Sequence, residues 1–126
     1  MPEAQKKLSG LAKSVKICHR ADFDRLRSAG RSFAAETLVL VFLDHSELRC
    51  GVVCSKRYST LSVERNRARR LLWESFRIVR PHLTGKGMFL AIARRGMKGK
   101  KRQDVTRDLV RLLKKFNAVS RQLELD

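Results

Sequence analysis

The sequence predicts an α+β fold, one layer of sheet with helices packed on it. Two neighbouring β-type apolar runs sit near the middle of the 126 residues, an amphipathic helix follows, and then come a further apolar run and a second amphipathic helix. No repeat or linker breaks the chain, and 43 % hydrophobic residues suffice for one packed core. One domain over 1–126 is expected, with 1–16 a mobile basic lead-in and 117–126 a tail.

"ADFDRLRSAG" reads as a short helix in which Phe23 and Leu26 share a face and Gly30 ends it. "RSFA" is a short strand. "ETLVLVFLDHS" is a run of branched and aromatic residues closing in turn formers, which marks a buried strand. "ELRCGVVCS" is a second strand, and the short Asp44–Glu47 turn between them predicts a hairpin. Along it Leu48, Cys50, Val52 and Cys54 alternate with Arg49, Gly51, Val53 and Ser55, so one face is buried and the other is small and partly polar.

Ser62 is placed to cap the next helix. At about 100° per residue, Ala68, Leu71, Leu72, Ser75, Phe76 and Val79 fall on one side, and Asn66, Arg69, Arg70, Trp73, Arg77 and Arg80 on the other. Pro81 closes this helix. Met88 to Ala93 is apolar on both faces, as a central strand is. "MKGKKRQ" is a basic loop. Val105, Leu109, Leu112, Leu113 and Phe116 then mark a last helix that Asp104 caps. The order is helix, strands, helix, strand, helix. A helix separates the last strand from the hairpin, which leaves a parallel pairing through a crossover open.

Lys and Arg number 29 against 12 Asp and Glu, a formal net charge of +17. So large a charge repels itself in a compact state, and it points to a polyanionic partner, nucleic acid before anionic membrane. No apolar stretch approaches a membrane span, and the N-terminal segment lacks the apolar middle of a signal peptide. A cytoplasmic protein without a membrane partner is expected. The three cysteines, Cys18, Cys50 and Cys54, are few, odd in number and without a CxxC pair. Buried packing suits them better than a zinc site with His19.

The basic residues gather in three places: Lys56 and Arg57 at a strand end, the helix opening "ERNRARR", and the stretch from Arg94 to Arg102. A helix N-terminus carries partial positive charge and favours acidic side chains by about 0.3–1 kcal/mol each. Glu64 obeys that rule; Arg65 and Arg67 break it, with Arg69 and Arg70 close behind. The same N–H groups and dipole favour phosphate, and arginine adds forked donors. An approaching polyanion turns these unfavourable terms favourable. Helix-turn-helix and finger spacings are missing, and aromatics at 6 % make no broad stacking platform. A groove between the small-residue strand face and a basic helix suits an extended single strand better than duplex DNA.

"RNRARRLLWESFR" resembles the arginine-asparagine-arginine signature of the bacterial ribonuclease P protein subunit, matching at Arg65, Asn66, Arg67, Arg69, Arg70, Leu71, Leu72, Glu74, Phe76 and Arg77. "ADFDRLRSAGRSF", "RCGVVCSKR" and "MFLAIARRG" agree with that family in the same order, so the resemblance runs over 20–116. It implies an α/β sandwich with a mixed sheet and a left-handed crossover, which general connection rules would not predict. It implies a protein that assists a catalytic RNA in removing the 5′ leader of precursor tRNA, the RNA with Mg2+ performing the hydrolysis and no protein side chain being catalytic. By position, Arg65, Asn66, Arg67, Arg69 and Arg70, with Lys56 and Arg57, are then expected to contact the catalytic RNA. Phe23, Arg49 and Ser55 are expected to line a cleft for the single-stranded leader.

The chain departs from the family pattern at Arg27 and Val41, where aromatics are common, and in "RYSTLSVE", which is one residue longer and lacks a Gly-Asn pair. Leader contacts are thus expected to lean more on charge and less on stacking. Trp73, on the basic stripe, reads either as an RNA contact or as a partly covered surface aromatic. Two other classes compete. A metal-dependent nuclease would need Asp22, Asp24, Asp44, His45 or Glu47 to converge from separate elements. A small ribosomal-type RNA-binding protein fits the composition equally and lacks only the ordered motif matches.

Overall fold

Met88–Ala93 has no polar face to offer water, and the fold puts it in the middle of the sheet. The computed structural model describes residues 16–17, 19–84 and 86–123. The elements are α1 (Arg20–Ala29), β1 (Arg31–Ala34), β2 (Leu38–Leu43), β3 (Arg49–Val53), α2 (Ser62–Val79), β4 (Met88–Ala93) and α3 (Arg102–Lys115). The strand order is β1-β2-β4-β3. β1 with β2 and β2 with β4 are antiparallel, while β3 runs parallel to β4, with Gly51 opposite Leu90. The sheet is therefore mixed, as expected, and α2 provides the crossover.

The expected hairpin of the two middle strands does not form: β4 lies between β2 and β3, and the true hairpin is β1–β2. The reason is burial. β4 needs cover on both faces and on both edges, whereas β3, with half-buried Arg49 at one end, tolerates an outer position.

One face of the sheet, formed by Leu38, Leu40 and Phe42 of β2, Phe89 and Ala91 of β4, and Cys50 with Cys54, packs against α2 and α3. The stripe Ala68, Leu71, Leu72, Ser75, Phe76 and Val79 is buried throughout, as the periodicity requires. Between the helices, Ser75 Oγ and Thr106 Oγ1 share a buried hydrogen bond of 3.0 Å. The other face is covered only in part. Leu26 of α1 and Ile17 sit over Val41, Met88 and Leu90, leaving Phe23, Val39, Val53 and Ile92 half-buried.

Some local expectations hold and others are corrected. Gly30 does end α1, its N–H bonding the Leu26 carbonyl at 2.9 Å, though at an ordinary φ of −73°. It is required by contact: a Cβ there would stand 2.5 Å from the Leu26 carbonyl oxygen and 2.6 Å from Val41 Cγ1. Ser62 is inside α2 and makes no cap. No side chain caps α2; Ser59 instead braces the turn before it, its Oγ accepting from the Leu61 N–H and donating to the Glu64 carboxylate. Asp104 does cap α3, from within its first turn, accepting from the Lys101 N–H at 3.0 Å. Lys16, assigned to a loose lead-in, forms a parallel bridge to Cys50, and the Ile17 N–H donates to the Cys50 carbonyl at 2.8 Å. At the other end Ala118 and Val119 of the expected tail are buried in the main core. The expectations for 1–15, for Cys18 and for 124–126 lie outside the described residues.

Asp108 of α3 escapes any reading of periodicity. Its carboxylate is buried and accepts from the Thr37 N–H (3.1 Å) and the Thr37 hydroxyl (2.8 Å), tying α3 to the turn before β2. Asp108→Ala would strand two buried donors, and hydrogen bonds to charged groups contribute about 1.5–3 kcal/mol. A loss of that order in urea unfolding is expected; a loss below about 0.5 kcal/mol would show that water replaces the carboxylate.

Candidate nucleic-acid interface

Arginine at a helix start repels the dipole and its neighbours, so each such side chain needs a local partner or an external one. Three of the four signature arginines, Arg65, Arg67 and Arg69, have a local one. Arg65, half-buried, donates to the Ser59 carbonyl at 2.9 Å, Arg67 to the Lys100 carbonyl at 3.2 Å, and Arg69 to the Cys54 carbonyl at 3.4 Å and to Asn66 Oδ1. Each guanidinium carries five N–H donors, so one or two bonds of this kind leave donors for phosphate. Arg70 is exposed and has no hydrogen-bond or ion-pair partner among the described residues.

These ties lash two loops to the start of α2, and the three basic segments of the sequence become one surface. Lys56 and Arg57 lie exposed in the turn after β3. Arg95 Nε donates to the Arg57 carbonyl at 3.0 Å, and Lys98 Nζ lies 3.9 Å from Glu64 and 5.5 Å from the Tyr58 ring centroid. Arg94 is held by the Ala35 carbonyl at 2.8 Å. Ser55, Arg57, Tyr58, Ile92, Ala93, Arg94 and Arg95 surround a hollow of about 710 Å³ beyond the ends of β3 and β4. Arg94, Arg95, Lys98 and Tyr58 belong to this surface and were not picked out as site residues from sequence. The charge run after a central strand was the only signal for the three basic residues, and Tyr58 had none.

Burial raises the Tyr58 hydroxyl pKa, with Cys54 and Glu64 adding to the rise and Arg67 opposing it, so Tyr58 stays a neutral donor. Burial likewise raises the Cys54 thiol against Arg69 and Arg65, and pushes Cys50 up to about 12. Both are packing thiols and poor ligands at neutral pH.

Phe23 packs on the incompletely covered face of the sheet, Arg49 opens β3, and Ser55 lies two residues past its end, at the rim of the hollow. The Phe23 ring edge comes within 3.3 Å of where a Gly51 Cβ would stand, so that glycine leaves room for the ring against β3. Arg49 and Ser55 lie towards opposite ends of β3. Arg49 is ion-paired with Glu47, and the Ser55 Oγ accepts from the Arg57 N–H. Val41, where the family pattern often has an aromatic, is buried under α1 against Gly30. Arg27 is exposed on α1. Trp73 is half-buried, 6.2 Å from the Phe76 ring, with the Lys16 ammonium 4.8 Å from its centroid.

The acids that a nuclease would need stay apart. Asp22 faces Arg25, His45 contacts the Glu47 backbone, and among the described residues no three His, Cys, Asp or Glu side chains converge. No helix among them is long and apolar enough to cross a membrane.

Comparison with known proteins agrees with this geometry. The family model "Ribonuclease P" matches residues 11–117. The chain belongs to the ribonuclease P protein family. It is 36 % identical over 96 residues to the ribonuclease P protein component of Pelotomaculum thermopropionicum, covering 75 % of this chain and 85 % of that one. To that of Clostridium acetobutylicum it is 32 % identical over 111 residues, covering 85 % and 92 %. Its fold superposes on a solved RNase P protein mutant of Staphylococcus aureus with a TM-score of 0.77 at 24 % identity, covering 94 % and 98 % of the two chains. It is thus the protein component of ribonuclease P, an endoribonuclease subunit that assists tRNA 5′ processing. Membership implies association with the ribonuclease P RNA subunit.

Proposed function

We propose that this ribonuclease P protein binds the catalytic RNA through the joined basic surface at the start of α2 and holds the single-stranded 5′ leader along the open sheet face. The observation that carries the reading is the gathering of Lys56–Arg57, Arg65–Arg70 and Arg94–Lys101 into one surface by arginine–carbonyl ties. These ties arrange the three segments before RNA arrives, so less ordering entropy is lost on binding. On that surface Arg65, Asn66, Arg67, Arg69 and Arg70, with Lys56 and Arg57, contact phosphates, and Phe23, Arg49 and Ser55 contact the leader. Mg2+ acts with the RNA. Among the described residues the carboxylates form no cluster to hold it, and the chain neutralises phosphates so that fewer free cations are needed.

The test is cleavage of a precursor tRNA with a 5′ leader at low magnesium, comparing bacterial-type catalytic RNA alone, protein alone, and both. Stimulation only in the mixture is expected. Cleavage by protein alone would revive the nuclease reading. RNA binding without stimulation would leave a general RNA-binding protein.

The leader assignment is tested separately. Base–aromatic stacking contributes about 1–3 kcal/mol per base, so Phe23→Ala should weaken leader-bearing precursor by roughly 5–150-fold and leave leaderless tRNA unchanged. Arg27→Ala should also weaken leader binding, by less. An unchanged Arg27→Ala beside a Phe23→Ala that abolishes leader dependence would overturn the expectation that leader contacts here lean more on charge and less on stacking than the family pattern.

A further inference from the structure

Two branched aliphatic side chains stand in water in the midst of this charge. Leu61 is 60 % exposed and Val63 77 %, more than any other large hydrophobic residue among those described. Leu61 is the residue that opens α2 and Val63 lies in its first turn, both in the segment "RYSTLSVE".

They are also held still. The Leu61 N–H donates to Ser59 Oγ at 3.1 Å, and the Arg65 N–H bonds the Leu61 carbonyl at 3.2 Å. The Arg65 guanidinium grips the Ser59 carbonyl, and the Ser59 hydroxyl is tied to Glu64. Val63 lies within α2. At about 100° per residue, Val63, Asn66, Arg67 and Arg70 occupy one sector roughly 100° wide, so the valine faces the same way as the phosphate-seeking side chains.

Resting on the function proposed above, we infer that Leu61 and Val63 form an apolar contact of the RNA interface that packs on an unstacked base of the catalytic RNA. Phosphates on either side are taken by Arg67, Arg70 and the Lys56–Arg57 turn. The charge around the pair and its continuity with the basic surface select a polyanion as the occupant. The aliphatic surface selects which part of it. An RNA duplex presents phosphates and 2′-hydroxyls, whereas bulges and loops splay out base faces. The contact should therefore add affinity that does not depend on salt, and a preference for that RNA over a plain duplex. Phosphate contacts act through counterion release; burying an aliphatic side chain does not.

The experiment titrates wild type, the double variant Leu61→Ser/Val63→Ser, and Arg70→Gln with bacterial-type ribonuclease P RNA and with a 20-base-pair RNA duplex across a salt series. Melting curves check folding, which these exposed positions should not disturb. The serine pair should lose about tenfold or more for the ribonuclease P RNA at every salt concentration, keep the wild-type salt slope, and bind the duplex as wild type does. Arg70→Gln should instead lower the slope for both RNAs. Unchanged affinity of the serine pair for ribonuclease P RNA overturns the inference and leaves the aliphatic pair to a protein contact. An equal loss on the duplex overturns the unstacked-base contact. Failure of wild type to bind ribonuclease P RNA tightly would overturn the underlying function instead.

Discussion

Replacing Arg69 and Arg70 together with glutamine should weaken binding to the RNA subunit by roughly 25–60-fold at 0.1 M salt. Each neutralised phosphate contributes about 0.7–0.9 to the slope of log K against log salt, a factor of about 5–8 at that concentration. Two such contacts lower the slope by about 1.4–1.8. The two residues differ in what else they do. Arg70 is exposed and without a partner among the described residues, so its replacement should leave the melting temperature alone. Arg69 is half-buried and donates to the Cys54 carbonyl, so its loss should also loosen the end of β3. Single variants measured by fluorescence anisotropy across a salt series separate these effects. A double variant with the wild-type slope would show that neither arginine meets phosphate.

The crowding of these arginines was legible in the sequence, because charge placed against a helix dipole is a local anomaly. Their bonds to backbone carbonyls were not. Arg65 to Ser59 and Arg69 to Cys54 depend on how the loop after β3 folds back, and Arg67 to Lys100 bridges 33 positions. The elements themselves were readable for the same reason as the stripe on α2: burial imposes a period. Met88–Ala93 was identified residue for residue as a strand.

Strand order is a different kind of fact. The short link from β2 to β3 suggests a hairpin, and only competition for the central place decides against it. Both faces of β4 are apolar, and β3 carries Arg49 and Gly51 on a face that α1 covers incompletely. Given that competition, the open face follows: a strand displaced to the edge exposes its small, polar side. What looked like a turn-length argument was a burial argument. Asp108 was invisible for the opposite reason, since a polar residue at a core position of an amphipathic helix shows no sign of a partner 71 residues away.

The second large effect concerns the other side of α2. Leu72 is fully buried between that helix and the sheet, and Leu72→Ala should cost about 2–5 kcal/mol of folding stability in denaturant unfolding. For a domain whose whole stability is of order 5–15 kcal/mol, that is a large share. Its charges are intact, so the folded fraction should bind RNA with the wild-type salt slope. Mass action then links the two stripes. RNA at about 100 times the dissociation constant returns roughly 2.7 kcal/mol to the folded state, enough to offset much of the loss. In the Arg69/Arg70 glutamine background the same RNA concentration is only about 2–4 times the dissociation constant and returns roughly 0.6–1 kcal/mol. Melting of Leu72→Ala with and without RNA, in both backgrounds, measures that difference directly. A rescue of equal size in the two would mean that the folded state is stabilised by RNA through some surface other than the arginine helix. An altered salt slope in Leu72→Ala alone would mean that the packing of the apolar stripe sets the aim of the basic one.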